Sequence, residues 1–228
     1  MSVKAKIAAG AATFVMVGGG LGMAGTLTAS AATPSCGSSC ISLYTQKFGT
    51  RYFVDVYQQK AAAGQESILF QGSNTDPALD FTYVDEGTVH DLYAHGTKIV
   101  TAQVAHTYGN DMAFQIQYSP YGRNTGFCLS TWPGVAPQPG YAVRLETCGR
   151  YSNSLWILDA SNETSNHKYA PLINGATPSF SNPEVLNYPA GNPTDMPRPM
   201  LNVQPLNTYS NGTVFDNQMW GVKQGVIY

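Results

Sequence analysis

One unit written three times is the strongest constraint on what this chain can fold into. In the middle of the sequence Cys128-Leu129-Ser130 leads through a Gly/Pro-rich loop to Val143-Arg144-Leu145-Glu146-Thr147-Cys148, and Trp156 follows eight residues after Cys148. Ahead of it, Tyr52 to Asp55, a loop ending in Gly64 and the run Ile68 to Ser73 are followed eight residues later by Phe81. The spacing from Ile68 to Phe81 equals that from Val143 to Trp156. Near the end, Val185-Leu186-Asn187 leads through another Gly/Pro loop to Leu201-Asn202-Val203 and, after a longer connection, to Asn217-Gln218-Met219-Trp220. A unit this short cannot bury its apolar face alone, so the copies must close one core together.

The runs inside each unit alternate apolar and polar residues, as in Tyr52-Phe53-Val54-Asp55-Val56 and Ala113-Phe114-Gln115-Ile116-Gln117-Tyr118. That is strand spacing. No stretch keeps a clean helical period, and Gln58 to Gly64, the best attempt, is too short. The expected class is all-β, with residues 85–113, which fit the repeat worst, as an inserted strand pair or hairpin.

Only 11% of the 228 residues are charged, and 12 Lys+Arg against 14 Asp+Glu give a formal charge of -2. The basic residues from Lys47 to Lys223 stand singly, so no cationic stripe exists to neutralise phosphates, which excludes a nucleic-acid binder. Lys4 and Lys6 form a short positive region ahead of the uncharged, Gly/Ala-rich stretch Ile7 to Leu27, and Ala29-Ser30-Ala31 offers a small-residue cleavage pattern. Residues 1–31 therefore read as a signal peptide, with cleavage expected before Ala32; a retained anchor is the bland alternative. The chain is expected outside the cell, with no membrane attachment once the signal is removed.

Four cysteines, Cys36, Cys40, Cys128 and Cys148, lie beyond that point, and an even count in an exported chain favours disulfides over metal or catalysis. Three pairings are open; sequence proximity suggests Cys36 with Cys40 and Cys128 with Cys148, the second closing a loop worth about 3 kcal/mol in the chain-entropy picture. No metal and no cofactor are expected.

The pattern Cys-Leu, loop, Val-x-Leu-x-x-Cys, then Trp eight residues on resembles the ricin B-type lectin repeat, and Gln218-Met219-Trp220 is similar to that family's Q-x-W signature. Cys128 and Cys148 sit where many members carry a disulfide within the repeat. The resemblance implies a β-trefoil over residues 41–228, preceded by a Cys-bearing arm at 32–40: a pseudo-threefold barrel capped by hairpins, with Phe81, Trp156 and Trp220 in its core.

In sugar-binding repeats of that family an Asp accepts hydrogen bonds from sugar hydroxyls, an aromatic ring stacks on the sugar, and an Asn precedes the Gln of Q-x-W. Ionised carboxylates bind vicinal hydroxyls strongly, and the C–H face of a sugar covers an aromatic surface well. Carried over, the Asp position holds Asp55, Ser130 and Asn187, the stacking position about Gln71, Glu146 and Gln204, the Asn position Ala78, Asn153 and Asn217, and the Gln position Leu79, Ser154 and Gln218. No stacking residue is aromatic, and the third unit, with Asn187, Asn217 and Gln218, is closest to complete. Substitute platforms are Trp132, in the Pro/Gly loop Ser130 to Gly134, and the two rings of Tyr118-Ser119-Pro120-Tyr121-Gly122.

An enzyme is not expected. There is no Gly-x-Ser-x-Gly and no His-Glu-x-x-His. His90, Asp91, His95 and His106 are the one histidine cluster, and solvated loop histidines are the commoner reading of such a group. Asp85 and Glu86 are adjacent, so on a strand they face opposite ways and cannot share a glycosidic bond. The expected function is non-catalytic recognition of extracellular or cell-surface glycans through Asp55, Trp132, Asn187, Asn217 and Gln218. The alternative is a protein-binding trefoil, an adaptor subunit of a secreted assembly or an inhibitor.

Overall fold

The structure is a computed structural model that describes residues 40–72, 76–95, 99–189, 191–195 and 199–224. The expected signal peptide at 1–31 and the arm ahead of Cys40 lie outside the described residues.

Among the described residues twelve strands carry the three units. The first holds β1 (Cys40–Thr45), β2 (Tyr52–Val56), β3 (Ser67–Gln71) and β4 (Phe81–Thr88); the second β5 (Met112–Tyr118), β6 (Phe127–Ser130), β7 (Arg144–Thr147) and β8 (Leu155–Leu158); the third β9 (Leu172–Asn174), β10 (Glu184–Asn187), β11 (Asn202–Pro205) and β12 (Trp220–Gln224). The outer strands of each unit form a closed antiparallel ring: β1 pairs β4, β4 pairs β5, β5 pairs β8, β8 pairs β9, a bridge joins Ala170 to Trp220, and β12 returns to β1. The inner strands form hairpins β2–β3, β6–β7 and β10–β11. These hairpins knit together at one end of the barrel through bridges Glu66–Arg144, Ile68–Met200 and Ala142–Asn202. The arrangement is the β-trefoil that the resemblance implies.

Alternation explains the core. In each hairpin one apolar cross-strand pair points inward, Val54 with Leu69, Leu129 with Leu145 and Leu186 with Val203, and all six side chains are buried. Phe81, Trp156 and Trp220 pack against them, as the resemblance implies. Both indole N–H groups find carbonyls in their own unit, Trp156 Nε1 donating to Leu129 O at 2.9 Å and Trp220 Nε1 to Leu186 O at 2.8 Å. A buried indole without such an acceptor would cost more than its packing gains. The Cys128–Cys148 disulfide is formed across the base of the second hairpin. Cys40 is also disulfide-bonded; Cys36, its expected partner, lies outside the described residues.

Residues 85–113 depart from expectation. Between the ends of β4 and β5, which pair at Gly87–Ala113 and Thr88–Met112, its described residues form two short helices, α1 (Val89–Ala94) and α2 (Ala102–Tyr108), in place of an inserted strand pair or hairpin. Thr88 and Thr101 cap them, their hydroxyls accepting from Asp91 N and Val104 N. Val89, Leu92, Ile99, Val100 and Val104 then form a second apolar cluster over Leu155, Ile157, Ile173 and Val185 on the barrel flank. Helices this short do not persist in water, so that burial is what holds them.

Candidate functional site

The hairpin registers place the candidate positions of the three units on a common frame. With Leu69, Leu145 and Val203 equivalent, the next residue outward is Phe70, Glu146 and Gln204. The stacking position of the first unit is therefore Phe70, not Gln71. The one-residue error arises because the connection from β3 to Phe81 is one residue longer than its counterpart before Trp156, so equal spacing in sequence hides a register offset.

The correction makes the first unit the one that joins an acid to a ring. Asp55 pairs with Ile68 and Phe53 with Phe70, so Asp55 and Phe70 are diagonal neighbours on one face of β2–β3. Phe70 is 49% exposed, which is far from the usual state of a phenylalanine in a sheet. Both line a cavity of about 660 Å³ whose other walls include Tyr52, Tyr57, Gln58, Gln59 and Gln71, with Thr194 and Pro199 from the third unit opposite. That volume suits a sugar or a short oligosaccharide. Gln58 and Gln59 are exposed at the rim with φ of 58° and 53°, a left-handed pair that glycine would adopt more easily. Two non-glycine residues held there are the kind of local strain that binding loops retain.

Asp55 is buried and its Oδ1 accepts the Val56 N–H at 2.7 Å. Burial pushes its carboxyl up to about 7; the Val56 N–H pulls the other way and the charge of Asp76 adds to the rise. Asp80, on the same side of the unit, is pushed up to about 7 by burial and by Asp76. The Asn and Gln positions of this unit hold Ala78 and Leu79, and Leu79 instead plugs a small cluster with Phe53 and Tyr44.

The third unit, closest in sequence, turns inward. Asn187 donates to Asn202 Oδ1 at 2.7 Å and accepts from Asn217 Nδ2 at 2.9 Å, while Asn217 also donates to Tyr188 O. Gln218 is 1% exposed, donating to Pro205 O and accepting from Asn207 N. The structure thus brings Asn187 and Asn217 together, but their amides and that of Gln218 tie the hairpin to β12.

In the second unit Ser130 is buried with its hydroxyl on Thr131 O. Trp132 stands out of the loop, 51% exposed, with the Arg144 guanidinium 4.0 Å above its ring. Of the Tyr118 and Tyr121 pair, Tyr118 is buried with its hydroxyl on Ala78 O, and Tyr121 is exposed. His90, His95 and His106 are exposed on and around the two helices, and among the described residues no group of three His, Cys, Asp or Glu is placed to hold a metal ion. Asp85 and Glu86 lie where the β4–β5 register shifts. Phe70 is the residue that sequence reasoning missed; the signal available was an aromatic directly after the two aliphatic residues of Ile68-Leu69-Phe70-Gln71.

No protein-family model matches the sequence, and no curated protein matches it. Solved structures do. The designed threefold-symmetric protein ThreeFoil superposes with a TM-score of 0.51 at 16% identity, over 81% of this chain and 97% of its own. A mosquitocidal holotoxin gives 0.53 at 13% over 82% of this chain, and the exo-β-1,3-galactanase 1,3Gal43A of Clostridium thermocellum gives 0.54 at 10% over 82%. This chain spans 17% and 30% of those two proteins. At such identities the likeness is one of fold, a β-trefoil.

Proposed function

We propose that this chain is a secreted, non-catalytic carbohydrate-binding protein that recognises extracellular or cell-surface glycans through its first unit. The observation that carries the reading is the placement of the Asp55 carboxyl and the exposed Phe70 ring on one hairpin face beside a cavity of about 660 Å³. The ring offers a stacking surface for C–H groups and the carboxyl accepts from hydroxyls, which together fix a sugar's face and orientation. Gln58, Gln59 and Gln71 add amide donors and acceptors around the opening. The setting agrees with this: one protein of like fold is named for action on a galactan, and residues 1–31 read as an export signal.

The test is a glycan array probed with the secreted protein, with Phe70→Ala and Asp55→Ala beside wild type. Binding to a defined glycan class, reduced about fivefold or more in Phe70→Ala, is the expected result, since loss of a stacking ring typically removes about a kcal/mol or more. A blank array from a folded, monodisperse protein overturns the reading and leaves the adaptor or inhibitor, to be sought among co-secreted proteins.

A further inference from the structure

The second unit sends one residue into the neighbourhood of the first unit's site. Between β5 and β6 the chain makes a tight turn, Pro120–Gly122, that packs on the turn Pro77–Leu79, and Pro77–Leu79 packs in its turn on β2. Hydrogen bonds fix that contact. Tyr118, buried, donates its hydroxyl to Ala78 O at 3.3 Å, and Ser119 N donates to Asp80 O at 2.9 Å. Behind the turn, Asn124 Oδ1 accepts from Ser119 Oγ at 3.1 Å and Thr125 Oγ1 donates to Tyr118 O at 2.6 Å. Tyr121 is carried at the tip, 40% exposed, and among the described residues no ring, cation or hydrogen-bonding group is placed against its side chain.

The backbone points the same way. Tyr121 sits at φ 56° and ψ 32°, in the left-handed region where glycine would be less strained, yet the chain places glycine only at the next position, Gly122. Strain of that kind is retained where a side chain has to be displayed. What the display faces is a gap left by two missing amides. At the first unit's Asn and Gln positions Ala78 is buried without a polar side chain, and Leu79 plugs the cluster with Phe53. A sugar on Phe70 and Asp55 therefore finds no amide toward this turn. The polar groups it meets there are the Asp76 carboxylate, one oxygen of which accepts from Ala78 N at 3.0 Å, and the Tyr121 phenol. The Tyr118 hydroxyl lies among them: burial pushes it up most, and Asp55, Tyr121, Asp76 and Asp80 each add to the rise, so the five groups share one electrostatic neighbourhood.

We infer that Tyr121 is the platform of a second subsite, contributed by the second unit, which stacks on the next sugar of a chain whose first sugar lies against Phe70 and Asp55. Asp76, whose charge reaches both Asp55 and Tyr118, stands where it can accept from the hydroxyls of that next sugar. The inference rests on the first-unit reading proposed above and narrows its ligand class: oligosaccharides of two or more sugars rather than single sugars.

The test is a matched length series titrated into the intact protein by calorimetry: the mono-, di- and trisaccharides of β-linked glucose, galactose and xylose. In a series that binds, the disaccharide should bind about fivefold or more tighter than the monosaccharide, the equivalent of one stacked ring. Tyr121→Gly relieves the backbone strain and should melt close to wild type, while bringing the disaccharide back to the affinity of the monosaccharide. Tyr121→Phe keeps the ring and should keep the gain. Phe70→Ala should weaken every length alike, which separates the two platforms. No gain from mono- to disaccharide, a full gain in folded Tyr121→Gly, or loss of the gain in Tyr121→Phe overturns the subsite and leaves the first-unit site standing. Absence of binding at every length overturns the first-unit reading and the subsite with it.

Discussion

Phe70 shows how much one position can hide. Its exposure and its diagonal relation to Asp55 follow from the β2–β3 register, and that register was not legible in the sequence because equal spacings concealed one extra residue in a loop. The identities of Asp55 and Asn217 were legible; what the sequence could not say is that Asn187 and Gln218 spend their amides internally, since satisfaction of a polar group depends on neighbours up to thirty residues away. Asp55, Asp80 and Glu184 lead to a pH prediction. All three carboxyls are raised to about 7 by burial, and one oxygen of Glu184 has no partner. The folded chain therefore holds more protons than the unfolded one between about pH 4 and pH 7, so stability is highest at the acid end of that window and falls as pH rises through it. Thermal melting between pH 4 and 8 should show this fall, and Glu184→Gln should remove part of it. Sugar binding should move the other way, strengthening toward pH 8 as Asp55 ionises, with Asp55→Asn flat across the range.

At the scale of elements, the strands were readable and the helices were not. Strand alternation is a two-residue signal that survives in runs of four to eight, whereas α1 and α2, at 6 and 7 residues, are too short to display a 3.6-residue period. Their traces were the caps: Thr88 lies three residues before Asp91, and the Thr88 hydroxyl donates to the Asp91 carboxylate at 2.6 Å. Thr88→Ala or Thr101→Ala should each cost about 1 kcal/mol of stability, measured by urea unfolding, with the binding surface untouched. A change in glycan binding from either would mean that the helices support the site, contrary to their place on the barrel flank. The Cys128–Cys148 staple belongs to this scale as well. It ties the ends of the β6–β7 hairpin that presents Trp132 and Arg144, which is how a 20-residue separation becomes one rigid feature.

For the whole molecule the threefold plan was the most legible property, because three copies of one pattern leave few ways to close a common core. The copies are nonetheless unequal. Trp156 and Trp220 hold hydrogen bonds to their own units, while Phe81 fills the same place with no donor. Trp156→Phe should accordingly destabilise the protein by a few kcal/mol in calorimetry, since it both shrinks a buried side chain and leaves Leu129 O without its donor. An unchanged melting temperature would show that the core repacks freely around that position.

The closure of the barrel between β1 and β12 also says something about portability. Ile41 lies opposite Gln224 in that pair, so the strands nearest the two ends of the described chain run side by side and leave the barrel at one spot. A domain whose ends meet can be spliced into a host loop, or strung in tandem, without stretching the host backbone or exposing a sheet edge, because joining neighbouring points adds little loop entropy. The trefoil is in this sense a cassette with both leads on one side, and two of the proteins of like fold match it over only 17% and 30% of their own length.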